Sequence, residues 1–177
     1  MTRYCGTMLL IAGLALAGCG HGQIFPSKVA DGVDKDFDFT AWRNVPNAKT
    51  DRKVQLGGRI VQANTDKSGV VIIVTQLPIV ERPAYGPKDT GRRSGEFAVT
   101  YAGTLDPKWL TPGHRLVVVG TTGQAKTVIV DDVQRSLPSL TANCVHIWRT
   151  GGKEIADFPY NIGGGYEPLE EDTHCTS

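Results

Sequence analysis

The sequence predicts an all-β fold: a small, partly open barrel of five to six strands with one short helix. Three observations predict it. Short runs of β-branched and aromatic residues recur through the middle of the chain, several alternate apolar with polar positions, and 21 glycines and 10 prolines punctuate them. Apolar residues make up 40% of the chain, and that content, broken so often by turn formers, suits short strands better than long helices.

The first strand is expected over residues 54–62, where Val54, Leu56 and Ile60 alternate with polar Gln55 and Arg59. Gly57 and Gly58 predict a bulge or bend within it. Residues 64–69 are a turn cluster, and the β-branched run 70–77 follows as a central strand buried on both faces, so the two form a hairpin. Pro78 ends the pairing, and residues 83–95 form a basic, Gly/Pro-rich loop carrying Lys88, Arg92 and Arg93. Residues 96–101 give a third strand with Phe97, Val99 and Tyr101 on one face. Asp106 then N-caps a short helix whose first position is Pro107, where the missing N–H costs nothing. After the turn at Pro112 and Gly113, residues 115–122 form a fourth strand and 126–130 extend the sheet. Residues 143–149 form the last strand, with Cys144, His146 and Trp148 on one face and Val145 and Ile147 on the other. One helix after the third strand makes the set similar to an OB-fold.

The N-terminus carries a different signal. Arg3 provides a positive start, residues 8–17 are apolar but too short for the roughly 20 residues that a spanning helix needs, and small residues follow. Leu16, Ala17, Gly18 and Cys19 resemble the lipobox of bacterial lipoprotein signal peptides. That resemblance implies that residues 1–18 are removed and that Cys19 carries acyl chains (palmitate among them) as a membrane anchor. More than one chain makes release slow, since each buried CH₂ contributes about 0.8 kcal/mol. Removing 18 of the 177 residues leaves 159, one domain's worth of chain. Residues 19–50 read as a flexible tether, 51–150 as the β-barrel domain and 151–177 as a C-terminal tail. Within the tether, Thr40 is the expected N-cap of a helical turn, and Phe37, Phe39 and Trp42 are expected to dock on the domain. The tail holds Gly163, Gly164 and Gly165 and an acidic cluster at Glu170, Glu171 and Asp172, and it reads as a loop or mobile end. Its alternative is a segment that orders on a partner through Tyr160 and Tyr166.

Arg3 is the sole charge in residues 1–18, which leaves 18 of the 19 basic residues against 18 acidic ones. A neutral mature chain gives no electrostatic footprint for nucleic acid. Of the four cysteines, Cys5 leaves with the signal and Cys19 takes lipid, so Cys144 and Cys175 remain as a candidate disulfide in an oxidising compartment. Closing that loop would contribute roughly 3 to 4 kcal/mol in the chain-entropy model. The alternative is two free thiols, with Cys144 packed as a small hydrophobe.

Four segments occur in a distinctive order: Gly57-Gly58-Arg59-Ile60-Val61, Gln76-Leu77-Pro78, Gly103-Thr104-Leu105-Asp106-Pro107 and Val118-Val119-Gly120-Thr121-Thr122-Gly123. Together with the lipobox and His146-Ile147-Trp148, they resemble the Slp family of outer-membrane lipoproteins. Thr104 stands where that family often has an aromatic, and the Cys144/Cys175 pair is not part of its pattern. The resemblance implies a starvation- or stationary-phase-associated lipoprotein of the Gram-negative envelope, with no assigned chemistry. Gly20, in place of an inner-membrane-retaining Asp, is consistent with sorting to the outer membrane.

Catalytic motifs are sparse. No Gly-x-Ser-x-Gly elbow, His-Glu-x-x-His or Cys-x-x-Cys spacing occurs, and His21, His114, His146 and His174 are scattered. His114 and His146 could approach across strands, but a hydrogen-bonded strand-edge histidine is the ordinary outcome. No enzyme, no metal and no cofactor beyond the lipid on Cys19 is therefore expected. Arg92, Arg93 and Trp109 form a candidate ligand surface, since OB-folds bind oligomers through strand faces and loops. Against it, the loop can be merely solvated, and Trp109, Tyr101 and Phe97 can fill the core instead of stacking sugars. The expected role is a non-enzymatic, structural or stress-associated one in the envelope. The alternative is a ligand-binding module for an oligosaccharide, peptide or envelope polymer. The expected partners are the membrane, through the anchor, and an envelope protein or glycan.

Overall fold

A computed structural model describes residues 24–66, 69–92, 94–158 and 169–176. Its elements in chain order are α1 (Ser27–Ala30), α2 (Phe39–Asn44), β1 (Lys53–Asp66), β2 (Gly69–Leu77), β3 (Ile79–Val80), β4 (Gly86–Pro87), β5 (Glu96–Tyr101), β6 (Arg115–Thr122), β7 (Lys126–Val130), β8 (Val133–Leu137), β9 (Ser139–Trp148) and β10 (Glu171–Cys175). Short 3₁₀ turns lie at Pro46–Ala48, Pro107–Leu110 and Ile155–Asp157.

β1 pairs antiparallel with both β2 and β6, β2 pairs antiparallel with β5, β5 runs parallel to β9, and β9 pairs antiparallel with β6. The ring is closed. A meander of three strands followed by two that return to seal it is a Greek-key barrel similar to an OB-fold. The expected partly open barrel is corrected by the length of β9. Its first residues pair β5 from Ser139 to Ala142 on one side, while Leu140 to Trp148 pair β6 on the other. Alternate residues point inward, so Val54, Leu56, Ile60, Val70, Ile72, Val74, Phe97, Val99, Tyr101, Leu116, Val118, Val145 and Ile147 form one core.

Gly57 and Gly58 do not make the bulge. The register slips between Ile60 and Gln62 instead. The glycines allow close approach: a Cβ on Gly58 would lie 2.3 Å from Val74 Cγ1, and one on Gly57 2.7 Å from Ile79 Cγ1. The 3₁₀ turn Pro107–Leu110 starts as expected, with the Asp106 carboxylate accepting from Lys108 N at 2.9 Å. In α2 the cap is Asp38, not Thr40. Asp38 has extended backbone angles and accepts from Ala41 N at 3.1 Å, whereas Thr40 lies inside the helix, past the position from which a side chain can cap. Phe39 and Trp42 enter the barrel core beside Phe97, at 5.8 and 6.4 Å between ring centres.

Three segments outside the ring depart from expectation. β7 does not extend the barrel sheet. Asp131 and Asp132 both have positive φ (49° and 61°), which turns the chain back at once, so β7 pairs with β8 as a separate hairpin. That hairpin lays Val128, Val130 and Leu137 on Ile73 and Ala98, the outer face of β2 and β5. The tether docks as well: Ile24, Phe25, Val29 and Val33 pack on the opposite outer face, against Val117, Val119, Cys144 and Trp148 of β6 and β9. Finally, part of the expected tail is β10, which pairs antiparallel with β9 from Glu171↔Trp148 to Cys175↔Cys144. The signal segment 1–18, Cys19, Arg93, Tyr160, the triple glycine and Tyr166 lie outside the described residues.

Candidate functional site

The outer face of β6 and β9 is where distant parts of the chain converge. Cys144 and Cys175 are disulfide-linked across β9 and β10, with Cα atoms 4.0 Å apart, so the covalent bond holds β10 on the barrel. Two positions further into the pairing, Thr173 lies opposite His146. The Thr173 hydroxyl donates to Ile24 O at 3.0 Å and lies 2.6 Å from His146 Nδ1, whose N–H donates to it. His146 is only 4% exposed, with Trp148 at 4.2 Å and Phe25 edge-on at 6.5 Å between ring centres. Burial pushes its pKa below the usual histidine value, against an opposing pull from Glu171, whose Oε2 is 3.5 Å from Nε2. The neutral ring is thus a structural hydrogen-bond relay between β9, β10 and the incoming N-terminal segment. Asp34 N→Lys53 O at 2.8 Å and an Arg52–Asp34 ion pair fasten the same segment to β1 and its lead-in.

A second cluster sits where Arg59 and Arg115 face each other across β1 and β6. Arg115 is 1% exposed and pairs with Glu154, while Arg59 lies 3.7 Å from Asp89. Glu154 also accepts from Asp89 N at 3.4 Å. Two like charges at adjacent strand positions are thereby matched by carboxylates from two loops, the arrangement that a buried guanidinium requires.

Beside it opens a cleft of about 430 Å³ lined by His114, Arg149, Lys153, Phe158 and Glu170 among others. His114 accepts from Gly151 N at 3.0 Å and lies 3.2 Å from Lys108 O through its other nitrogen, and burial lowers its pKa. Glu170 binds Lys108 at 3.0 Å and also Arg149, and the hydrogen bond from Lys108 leads the effects that hold its carboxyl below the usual range. Lys153 lies over the Phe158 ring at 5.8 Å. Two lining cations, Arg149 and Lys153, against the one lining carboxylate of Glu170 leave a net positive charge that favours an anionic group here.

The candidate surface read from the sequence is divided differently. Trp109 is 5% exposed and belongs to the barrel core, as do Phe97 and Tyr101, so none of them offers a stacking face. The physical reason is that the 3₁₀ turn after β5 folds Trp109 inward, toward His174 at 5.7 Å. Arg92 stands exposed on its loop. His114 and His146 do not meet, each being held by its own partners. Thr173, Glu154 and Glu170 were not legible as site residues, because each acts on partners at least 21 positions away. No group of three or more metal-ligating side chains occurs among the described residues. No helix among them is long and apolar enough to cross a membrane.

Comparison with curated proteins and with solved structures gave no match. The profile of the outer membrane lipoprotein Slp family matches residues 16–169, from the lipobox through the whole barrel to the edge of β10. The chain therefore belongs to the outer membrane lipoprotein Slp family and is a lipid-anchored protein of the outer membrane.

Proposed function

We propose that this lipoprotein is a non-enzymatic, structural component of the envelope with a stress-associated role, held to the membrane by acyl chains on Cys19. One observation carries the reading. OB-folds bind oligomers mainly on the outer face of their second and third strands, and here that face, on β2 and β5, is covered by the β7–β8 hairpin. Arg135–Glu96 at 2.9 Å and Lys126 Nζ→Thr100 at 3.2 Å tie the hairpin down. The barrel interior is filled by its own side chains.

A second reading, a binding module for an anionic envelope polymer, is favoured by the basic cleft at Arg149 and Lys153. In-cell crosslinking of the tagged protein, with Cys19→Ser as control, tests the two. The structural reading expects adducts to lipid and envelope proteins that vanish with the anchor. Glycan or polymer adducts formed equally by both proteins, and lost in Arg149→Ala/Lys153→Ala, would replace it with the second reading.

A further inference from the structure

The docked N-terminal segment leaves very little chain between the barrel and the lipid. Ile24 is already on the barrel surface, packed against the cluster on β6 and β9. The step from Cys19 to Ile24 is about five residues, which reach at most about 18 Å when fully extended. A small domain is roughly 30 Å across. A leash shorter than the body it holds cannot let that body turn over. We infer that the barrel lies on the phospholipid surface with one defined side down: the side formed by residues 24–28 and the end of β10. The inference rests on Cys19 being the acylated residue.

Local structure fixes that side. The Ile24 carbonyl is held by Thr173, Phe25 is 3% exposed against His146, and Lys53 Nζ donates to Asp31 O at 2.5 Å. The disulfide in turn keeps Thr173 in place. A shallow groove of about 520 Å³, lined by Ile24, Phe25, Pro26, Ser27, Thr173 and Cys175, opens on the same side. Pro26 and Lys28 are exposed there. The β7–β8 hairpin, with Ile129 61% exposed, covers the other flank of the ring and faces away. The short reach of the leash, not attraction to anionic lipid, sets the orientation.

The test uses full-length acylated protein in phosphatidylethanolamine/phosphatidylglycerol vesicles. A fluorophore is placed on Lys28→Cys or on Gln134→Cys, and quenching by headgroup spin-labelled lipid is measured. With Cys19 acylated and Cys144 bonded to Cys175, the introduced thiol is the one that reacts. Quenching several-fold stronger at position 28 than at 134, and unchanged in high salt, is the expected result. Acylated protein that floats with the vesicles yet is quenched equally at both positions overturns the orientation while leaving the anchor intact. Protein that carries no acyl mass and does not float fells the anchor reading, and the orientation with it. The pair Asp31→Cys and Ile129→Cys repeats the measurement where a label at position 28 or 134 disturbs packing.

Discussion

Two layers cover the barrel, on opposite flanks, and they are built in different ways. The β7–β8 hairpin is local: twelve consecutive positions from Lys126 to Leu137 fold back on themselves and lay three apolar side chains on β2 and β5. The layer over β6 and β9 is assembled from residues 24–33, Ile79, Ala84, Tyr85, Ile155, Leu169 and β10, parts drawn from well-separated stretches of the chain, both ends included. Closing a long loop costs more conformational entropy than closing a hairpin. The long-range layer is the one with a disulfide and a buried histidine relay, whereas the hairpin relies on apolar contact and half-exposed polar ties. The disulfide spans 31 positions and fixes β10, and the N-terminal segment, 149 positions from Thr173, docks on that strand through hydrogen bonding and apolar contact.

Loosening the reinforced layer should have the largest effect. Cys144→Ser/Cys175→Ser, or reduction, should cost roughly 3 to 4 kcal/mol by the chain-entropy model. Thermal melts with and without reductant read the loss, and hydrogen exchange should rise at Thr173 and Phe25 before it rises at Ile72 and Val99 inside the barrel. Equal exchange across the whole molecule would mean that the layer is not a separable unit. On the hairpin side, Val130→Ala removes two buried methyl groups from a side chain 1% exposed and should cost about 2 kcal/mol, seen as a lower denaturation midpoint.

Acid separates the two layers in another way, because the buried His114 and His146 lie outside the hairpin. Folding lowers the pKa of His146 and of His114 below the unfolded value, chiefly through burial. The unfolded chain therefore takes up protons first. Their contribution to stability is complete above about pH 6.5 and falls as the pH drops below it. His146→Gln should flatten part of that slope in melts between neutral and mildly acidic pH, and an unchanged slope would assign the dependence to His114. The smallest effect belongs to Arg135→Ala, whose half-exposed pair with Glu96 should contribute about 0.5 kcal/mol and weaken in salt.

Much of the barrel was legible because its signals are local. The β-branched run at 70–77, the alternation around Phe97, Val99 and Tyr101, and Asp106 with Pro107 each state a conformation within a few residues. Aromatic docking of Phe39 and Trp42 was legible from their isolation in a polar stretch, but the cap moved to Asp38 because capping depends on which residue begins the helix. Closure between β5 and β9 was not legible, since parallel pairing joins residues some 40 apart with no turn to announce it. β10 was hidden for a related reason: Glu171, Asp172, Thr173 and His174 read as a polar tail, and only pairing with β9 makes them a strand.

The all-β class, the strand content of the barrel and the lipoprotein character follow from the sequence alone, because periodicity, turn chemistry and a contiguous lipobox are properties of neighbouring residues. Other features needed the folded chain: that the ring closes, that Trp109 fills the core, that a hairpin covers the face of β2 and β5, and that the tether docks from residue 24 onward. Each of these depends on which distant surfaces bury one another, and burial is a property of the assembled chain that no local pattern encodes.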